Sequence, residues 1–442
     1  MNPDPAPSIA TSASTGPAGD QPEGDAKPDP SVPPLPAPSG PPVAELAAFD
    51  DLMQRFLAEQ QVPGATLSIG KGGKLLFARG YGWSDRETEA PMAANSRFRI
   101  ASISKPITAH LVLRLANRGL FKLDDFVTQH LPDEFSFAIS AVDDERWFLV
   151  TLRQLLQHTG GWDRDGTDFD PMFESTLIAE AFSEQSPASL SSIIRYMLGR
   201  PLDFHPGSKY SYSNFGYCLL GRVIEKVTGV SYAQAARDEL WDPLGLAGEI
   251  ELGASLKEQR LPREVTYTPS TDETEPGVFP KNLGKPVPPP YGAFCLETMD
   301  AHGGWVGCAP ALVLWSMSLE PPTKGWLRSE TWIDAFKRPD GAAGLDNSGQ
   351  PAPIYYGLGW QVRPTDDRGG FHRWHAGSLP GCSTLLIKRD DDLHIAVLFN
   401  RRHDNREKAP ARLIDPELHK LANQVERWPE RDLTADVFPP PK

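Results

Sequence analysis

The residues best placed to do chemistry together are Ser102 and Lys105, in the stretch 100-IASISKPITAHLVLRL-115. A serine hydroxyl becomes a nucleophile when a neighbouring base removes its proton, and a lysine can be that base once burial has lowered its pKa. The stretch opens a predicted helix, with Pro106 tolerated in its first turn. Residues three apart share a helix face, so the ammonium can reach the hydroxyl. The Ser102 N–H lacks an intrahelical partner and could bind a developing oxyanion.

The same Ser-x-x-Lys spacing occurs a second time, at Ser68 and Lys71. That copy lies in a predicted hairpin formed by 64-GATLSIG-70 and 74-KLLFARGYG-82 around a Gly-Gly turn. On a strand, residues three apart point to opposite faces, so this copy cannot bring its two side chains together. The spacing alone is therefore a weak signal, and a lysine at the start of a helix could also be ordinary surface charge.

A second candidate group is Tyr212-Ser213-Asn214, in a polar and aromatic turn before an amphipathic helix. In one interpretation Ser213 or Asn214 simply caps that helix. In the other, Tyr212 is a proton acceptor beside the nucleophile, and Asn214 is a donor to the substrate or to Lys105.

The third candidate group lies in 374-WHAGSLPGC-382, where a predicted strand ends at His375-Ala376-Gly377. It is either a hairpin turn, with Gly377 and Gly381 supplying unusual dihedral angles, or part of a site. In the second case the N–H of Ser378 is another oxyanion donor and His375 lines the pocket.

The composition excludes several classes of function. There are 58 acidic and 44 basic residues, for a net charge of −14, which argues against nucleic acid or an anionic membrane as a main partner. No apolar run approaches the roughly 20 residues that span a bilayer. The four cysteines lack metal-ligand spacing and favour free thiols. We therefore predict no metal and no cofactor.

The chain has an unusual first segment. Residues 1–42 contain 13 prolines and no aromatic residue, so we predict a disordered tail, which could tether the domain to a partner. No secretory signal is recognisable. The expectation is a soluble cytoplasmic protein as the sequence stands, with export possible if a leader is missing.

The elements that must position the three groups come from both ends of the chain. Apolar residues at helical spacing predict a helix over 43–60, followed by the hairpin. Four later strands are predicted at 356–362, 371–377, 383–389 and 394–400, and a closing helix at 411–428. The region between is mainly helical. We therefore predict an α/β (α+β) fold: an antiparallel sheet built from both sequence ends, flanked by helices, with a mainly helical inserted lobe.

We place this fold in one domain over residues 43–430. The sheet lobe would comprise about 43–104 and 296–430, and the helical lobe about 105–295. The segment 255–295 is rich in proline and glycine and is predicted to be irregular.

Taken in order, Ser102-x-x-Lys105, Tyr212-Ser213-Asn214 and His375-Ala376-Gly377 resemble the motifs of the serine β-lactamase and penicillin-binding protein superfamily. Further similarity lies in 150-VTLRQLLQHTGGW-162 and 302-HGGWVGC-308. The resemblance covers roughly residues 45–425, and its nearest branch holds the class C β-lactamases, the family VIII carboxylesterases and the D-aminopeptidases.

The resemblance implies a role for each residue. Ser102 would be the acylated nucleophile, with Lys105 and Tyr212 acting together as general base and then as acid for the leaving group. The N–H groups of Ser102 and Ser378 would form the oxyanion hole. The substrate-binding residues would be Asn214, His375 and Gly377.

One position departs from the β-lactamase pattern, in which the third motif is usually Lys-Thr-Gly. An unperturbed His375 is largely neutral near pH 7 and grips a substrate carboxylate weakly. We therefore expect a metal-independent serine hydrolase acting through an acyl-enzyme on a small ester, amide or peptide, of carboxylesterase or peptidase/amidase type.

Several alternatives remain open: a β-lactamase or D-Ala-D-Ala carboxypeptidase, acyl transfer to an amine or alcohol, and a non-catalytic penicillin-recognising binding protein. The sequence gives no indication of the oligomeric state.

Overall fold

The computed structural model describes residues 35–139, 142, 144–270, 272, 274–319, 326–346, 348–365, 369–403 and 408–439. The strands are β1 Gly64–Lys71, β2 Lys74–Asp85, β3 Ala90–Pro91, β4 Arg97–Arg99, β5 Ile250–Leu252, β6 Glu275–Pro276, β7 Pro286–Val287, β8 Trp305–Cys308, β9 Tyr355–Tyr356, β10 Gln361–Pro364, β11 Phe371–Leu379, β12 Cys382–Lys388 and β13 Leu393–Phe399.

The α-helices are α1 Ala47–Glu59, α2 Ser104–Asn117, α3 Ser136–Ile139, α4 Leu152–Leu156, α5 Arg164–Thr167, α6 Ser175–Ala181, α7 Leu190–Leu198, α8 Asn214–Thr228, α9 Tyr232–Ala236, α10 Asp242–Leu244, α11 Ala309–Ser318, α12 Ser329–Phe336, α13 Pro410–Ala422 and α14 Thr434–Val437. No helix of the described part is long and apolar enough to cross a membrane.

The main sheet has eight antiparallel strands in the order β3-β2-β1-β13-β12-β11-β10-β9. The two ends of the chain meet where β1 pairs with β13, from Ala65 opposite Phe399 to Lys71 opposite Leu393. The predicted fold class, with one antiparallel sheet built from both sequence ends, is therefore confirmed.

The central strands β1 and β13 are buried on both faces because helices cover both sides of the sheet. Leu67 and Ile69 of β1 pack with Phe49 and Met53 of α1 in one core cluster. On the opposite side α11 lies so close that a Cβ added to Gly70 would meet the Val313 side chain at 2.5 Å. Alternate residues of a strand therefore enter two different cores.

A second sheet, in the order β4-β8-β5, was not predicted. Its strand β8 pairs with β4 from Arg97 opposite Cys308 to Arg99 opposite Val306. The pairing continues into the following residue, since the Ile100 N–H donates to the carbonyl of Trp305 at 2.9 Å. This small sheet fixes the path of the chain that leads into Ser102.

Several predicted boundaries were wrong. The stretch 356–362 is two short strands, β9 and β10, joined through Gly359 at φ +89°. Strand β11 does not end at Gly377 but continues to Leu379, and the closing helix ends at Ala422.

The predicted tail also needs correction. Residues 1–34 lie outside the described residues. Residues 35–42 are described, and Ser39 pairs with Gly80 of β2 through backbone hydrogen bonds of 2.9 and 3.3 Å. Ser39 is therefore hydrogen-bonded to the main sheet, although it precedes the domain boundary predicted at residue 43.

Candidate active site

Ser102 lies in a 3-10 turn, Ala101–Ile103, directly before α2, and its side chain is partly exposed. The preceding Ala101 is buried and has φ +49°, a left-handed conformation that costs a residue with a Cβ about 1–2 kcal/mol. The surrounding strands must supply that energy. Tertiary packing therefore holds the candidate nucleophile in place. The sequence predicted Ser102 in the first turn of an α-helix, but it lies in the 3-10 turn before that helix.

Lys105 is in the first turn of α2 and is fully buried. Its Nζ lies 3.1 Å from Ser102 Oγ and donates to Asn214 Oδ1 at 2.7 Å and to the His302 carbonyl at 3.1 Å. Burial, helped by the cation of Arg164, holds the pKa of Lys105 well below its usual range. An amine in contact with the serine hydroxyl can accept its proton.

Tyr212 is buried and also lies close to Ser102. Lys105 Nζ is 4.6 Å from the centre of the tyrosine ring. Burial raises the pKa of Tyr212 above its ordinary value, so the phenol is neutral near pH 7. It can therefore relay a proton between Ser102 and a leaving group, while Lys105 is the stronger candidate for the base.

The Tyr212-Ser213-Asn214 stretch is placed by α8. Ser213 is the N-cap of this helix, since its side chain accepts from the Gly216 N–H, and Asn214 begins the helix. The capping interpretation and the site interpretation are therefore compatible: the cap fixes the helix start, and the helix start brings Asn214 against Lys105.

His158 packs against Tyr212 and the start of α8, a contact that the sequence did not predict. Its backbone is left-handed, at φ +57°, and its Nδ1 accepts from the Ser213 N–H at 3.1 Å. The imidazole lies 4.3 Å from the Tyr212 ring and 4.4 Å from the Tyr356 ring, between centroids. Burial, followed by the nearby charge of Lys105, lowers the pKa of His158, so a neutral ring braces Tyr212.

His375, which the sequence predicts to line the pocket, is a buried residue with a polar partner beside each ring nitrogen. It is 3% exposed; its Nε2 lies 2.9 Å from the Tyr356 hydroxyl and its Nδ1 lies 2.7 Å from the Ala376 carbonyl. The ring is on the buried side of β11, because β11 alternates its side chains between two faces. Burial and the charge of Lys105 lower the pKa of His375 to about 3.

Gly377 lies against the backbone that precedes Ser102. A Cβ at this position would meet the Ile100 carbonyl and the Thr384 hydroxyl, each at 2.3 Å. Its φ is not left-handed, so the glycine is required for space and not for an unusual dihedral angle.

Ser378 follows on the exposed face of β11, and its Oγ accepts from Arg402 Nε at 3.0 Å. The close approach at Gly377 brings this part of the strand beside the nucleophile. The oxyanion role of the Ser378 N–H remains a prediction.

Two charged residues near the site were also missed from sequence. Asp170 is buried, and its Oδ2 accepts from Asn214 Nδ2 at 2.6 Å. Arg164, in α5, places Nη1 3.8 Å from the same oxygen. Both residues belong to the charged stretch 163-DRDGTDFD-170. Such a stretch is typical of a solvent-exposed segment, and nothing in it distinguishes Arg164 and Asp170 from the neighbouring charged residues.

All four cysteines are free, buried thiols. Within the residues that the structure describes, no group of three or more His, Cys, Asp or Glu side chains is arranged to hold a metal ion.

Comparison with known proteins shows the same family. A β-lactamase family model matches residues 49–418. Esterase EstB of Burkholderia gladioli is 29% identical over 78% of this chain and 90% of its own length. Protein flp of Staphylococcus aureus is 30% identical over 44% of this chain, a match that spans only 36% of flp.

Among solved structures, an octameric penicillin-binding protein homologue from Pyrococcus abyssi superposes with a TM-score of 0.62. It is 22% identical in sequence, and the match covers 86% of this chain and 78% of that one. This likeness concerns the fold.

Proposed function

The chain belongs to the β-lactamase family, within the serine β-lactamase and penicillin-binding protein superfamily, and on that basis we propose that it is a carboxylesterase-type serine hydrolase that works through an acyl-enzyme. The observation that carries the proposal is the buried Lys105 amine, 3.1 Å from the hydroxyl of a partly exposed Ser102. A receptor that only binds its ligand has no need of a base in contact with an accessible serine.

Acylation begins when Ser102 Oγ attacks the carbonyl carbon of the substrate. The hydroxyl proton passes to Lys105 Nζ, and the carbonyl oxygen becomes an oxyanion that the N–H groups of Ser102 and Ser378 stabilise. One such donor contributes about 10²–10³ in rate. When the tetrahedral intermediate collapses, the neutral Tyr212 phenol donates its proton to the leaving alcohol or amine and recovers one from Lys105.

Deacylation reverses these steps with water in place of the leaving group. Lys105, again an amine, takes a proton from the attacking water, directly or through Tyr212. Asn214 holds Lys105 Nζ through the 2.7 Å hydrogen bond during both half-reactions. A positioned base of this kind contributes about 10²–10⁴ in rate.

The preference for an uncharged ester rests on His375. Its ring is neutral near pH 7, and both of its nitrogens are already engaged by Tyr356 and Ala376. The third motif therefore offers no cation to a substrate carboxylate. The similarity to esterase EstB, over most of both chains, supports ester hydrolysis.

A second candidate function has one observation in its favour. Arg402 donates to the Ser378 side chain at 3.0 Å and so brings a cation to the exposed face of β11. A carboxylate beside the scissile bond, as in a β-lactam or a D-peptide, could pair with that guanidinium. Under this alternative the protein is a β-lactamase or a D-Ala-D-Ala carboxypeptidase.

The test compares hydrolysis of a short p-nitrophenyl ester and a chromogenic cephalosporin, with Ser102→Ala as the control. We expect ester turnover that is lost in the variant and little cephalosporin cleavage. Efficient cephalosporin cleavage that falls in Arg402→Gln would favour the second candidate. If neither substrate, nor a series of D-amino acid amides, is turned over in a Ser102-dependent way, the protein is a binding protein and the proposal is wrong.

A further inference from the structure

Asp170 determines which way the Asn214 amide faces. Its Oδ2 accepts from Asn214 Nδ2 at 2.6 Å, and its Oδ1 accepts from the Met172 N–H at 3.1 Å. A carboxylate can only accept hydrogen bonds, so the NH₂ side of the amide must point to Asp170. The carbonyl side then points to Lys105, whose Nζ donates to Asn214 Oδ1 at 2.7 Å.

Four side chains thus form one chain of contacts, from Asp170 through Asn214 and Lys105 to Ser102. Asp170 and Asn214 are only 6% and 8% exposed, so water does not compete effectively for these bonds. An amide that rotated by half a turn would present its NH₂ group to the lysine and repel a proton-bearing Nζ. The orientation of Asn214 therefore matters for the position of Lys105.

Burial raises the pKa of Asp170, and the nearby Arg164 cation lowers it. In its ionised form Asp170 brings a negative charge close to Lys105, which favours the ammonium form over the amine. Arg164 offsets that charge. Its Nη1 is 3.8 Å from Asp170 Oδ2, and two of its other nitrogens donate to Asp165 at 2.9 and 3.1 Å. The guanidinium carbon lies 5.2 Å from the centre of the Tyr212 ring, so the cation faces the same site.

The other polar and charged groups that face Lys105 are neutral near pH 7 or lie on its own turn. Burial lowers the pKa values of the surrounding histidines and raises those of the tyrosines. The polar side chains around Lys105, apart from Asp170 and Arg164, are Ser102, His158, Tyr212, Asn214, Tyr217, His302 and His375. Asp170 and Arg164 are therefore the pair whose charges act on the lysine.

We propose that Asp170 is a positioning residue that holds the Asn214 amide toward Lys105, and that Arg164 balances the negative charge of Asp170 at that lysine. The inference rests on the proposed function, because it needs Lys105 to act as a base. It assigns to Arg164 and Asp170 a role at the proposed base.

The test follows acylation of Ser102 by a fluorophosphonate across pH 5–10. This probe needs no knowledge of the substrate: Ser102 Oγ bonds to phosphorus, fluoride leaves, and the hydroxyl proton passes to Lys105. The rate rises with pH as Lys105 becomes an amine, so the midpoint of the rise reports on its protonation.

The two charge variants should move that midpoint in opposite directions. In Asp170→Asn an acceptor remains but the anion is lost, and the midpoint should fall by roughly one pH unit. In Arg164→Gln the cation is lost, and the midpoint should rise by a similar amount. Arg164→Lys should restore it, and Asp165→Asn, which removes only the exposed anchor, should leave it within about 0.3 units.

Asp170→Ala separates positioning from charge. It removes the acceptor as well, so the maximal rate should fall about 10²-fold, while Asp170→Asn keeps most of that rate. Thermal unfolding and circular dichroism identify any variant that fails to fold. If Asp170→Ala or Arg164→Gln does not fold, the conservative variants Asp170→Asn and Arg164→Lys still test the proposal.

Midpoints that stay in place, or move the same way in Asp170→Asn and Arg164→Gln, would overturn the inference and leave a purely structural ion pair. A wild-type protein that the probe does not label at Ser102 would instead overturn the proposed function. The two failures are therefore distinguishable.

Discussion

The chain contains the Ser-x-x-Lys spacing twice, and the structure puts the two copies to different uses. Ser102 and Lys105 lie on a tight turn and the helix that follows it, with Nζ 3.1 Å from Oγ. Ser68 and Lys71 lie on β1. Ser68 is fully buried in the sheet, and the Lys71 ammonium donates to the Asp391 carbonyl in the turn between β12 and β13. The same spacing therefore brings Ser102 and Lys105 into contact, whereas Lys71 has a different partner from Ser68.

The difference shows what the chemistry requires beyond residue type. The serine must be accessible, the lysine must be buried, and the backbone between them must turn so that both face the same space. The strand meets none of these conditions, since it buries the serine and leaves the lysine partly exposed. The turn before α2 meets all three.

Replacing the two serines by alanine should give the sharpest contrast. Ser102→Ala removes the proposed nucleophile and should lower ester kcat/KM by about 10⁴-fold or more. Ser68→Ala removes a buried hydroxyl of β1 and should change kcat/KM by less than about twofold. Steady-state ester hydrolysis checks both. A comparable loss in Ser68→Ala, with an intact fold, would mean that the second copy also takes part in catalysis.

Replacing the two lysines should give the next largest difference. Lys105→Ala removes the proposed base and should lower kcat by about 10²–10⁴-fold. Lys71→Ala removes a partly exposed side chain and should leave kcat unchanged. Single-turnover measurements with the p-nitrophenyl ester separate acylation from product release. If Lys105→Ala retained wild-type kcat, Tyr212 would have to be the base and Lys105 only a structural residue.

The pH dependence should follow Lys105. Its pKa is held well below the usual value, and only the amine form accepts the proton of Ser102. Activity is therefore present above that lowered pKa and is lost as pH falls through it, about tenfold per pH unit. A profile of kcat/KM from pH 4 to 9 measures this loss of activity on the acidic side. A profile that instead rose only near the ordinary pKa of a solvent-exposed lysine would contradict the burial argument.

The smallest expected effect concerns the helix that carries Asn214. Ser213→Ala deletes the N-cap of α8 and should lower the free energy of unfolding by about 1 kcal/mol. Ser231 caps α9 in the same way, farther along the chain, and Ser231→Ala is the matched control. Both variants should lose stability, measured by thermal unfolding, while only Ser213→Ala should also lower kcat. Equal kcat values in the two variants would show that the cap does not position the site.

Much of the fold was predictable from local patterns. The hairpin of β1 and β2, the strands β11 to β13 and the first and last long helices follow from hydrophobic periodicity and turn residues. The sheet β4-β8-β5 was not predictable, because its strands are three or four residues long and come from distant parts of the chain. Such short strands carry too little periodicity to be recognised.

The candidate site was predictable to a similar degree. Ser102, Lys105, Tyr212 and Asn214 were identified, and the structure brings them together. His158, Arg164 and Asp170 were not distinguished as parts of the site, since an imidazole or a charge near a site looks the same in sequence as one on a surface. The contact of His375 with the Tyr356 hydroxyl was also not predictable, because Tyr356 lies on another strand, β9.

The sequence by itself determined which side chains could act as nucleophile, base and relay, because residue type and local spacing are properties of the chain. It also determined that a sheet would join both ends. It also ruled out the copy at Ser68 and Lys71, because residues three apart on a strand point to opposite faces. Only the tertiary structure decided the surroundings of Lys105. Burial, hydrogen-bond partners and the charges near Lys105 come from residues far apart in sequence, and these set the protonation state on which the chemistry depends.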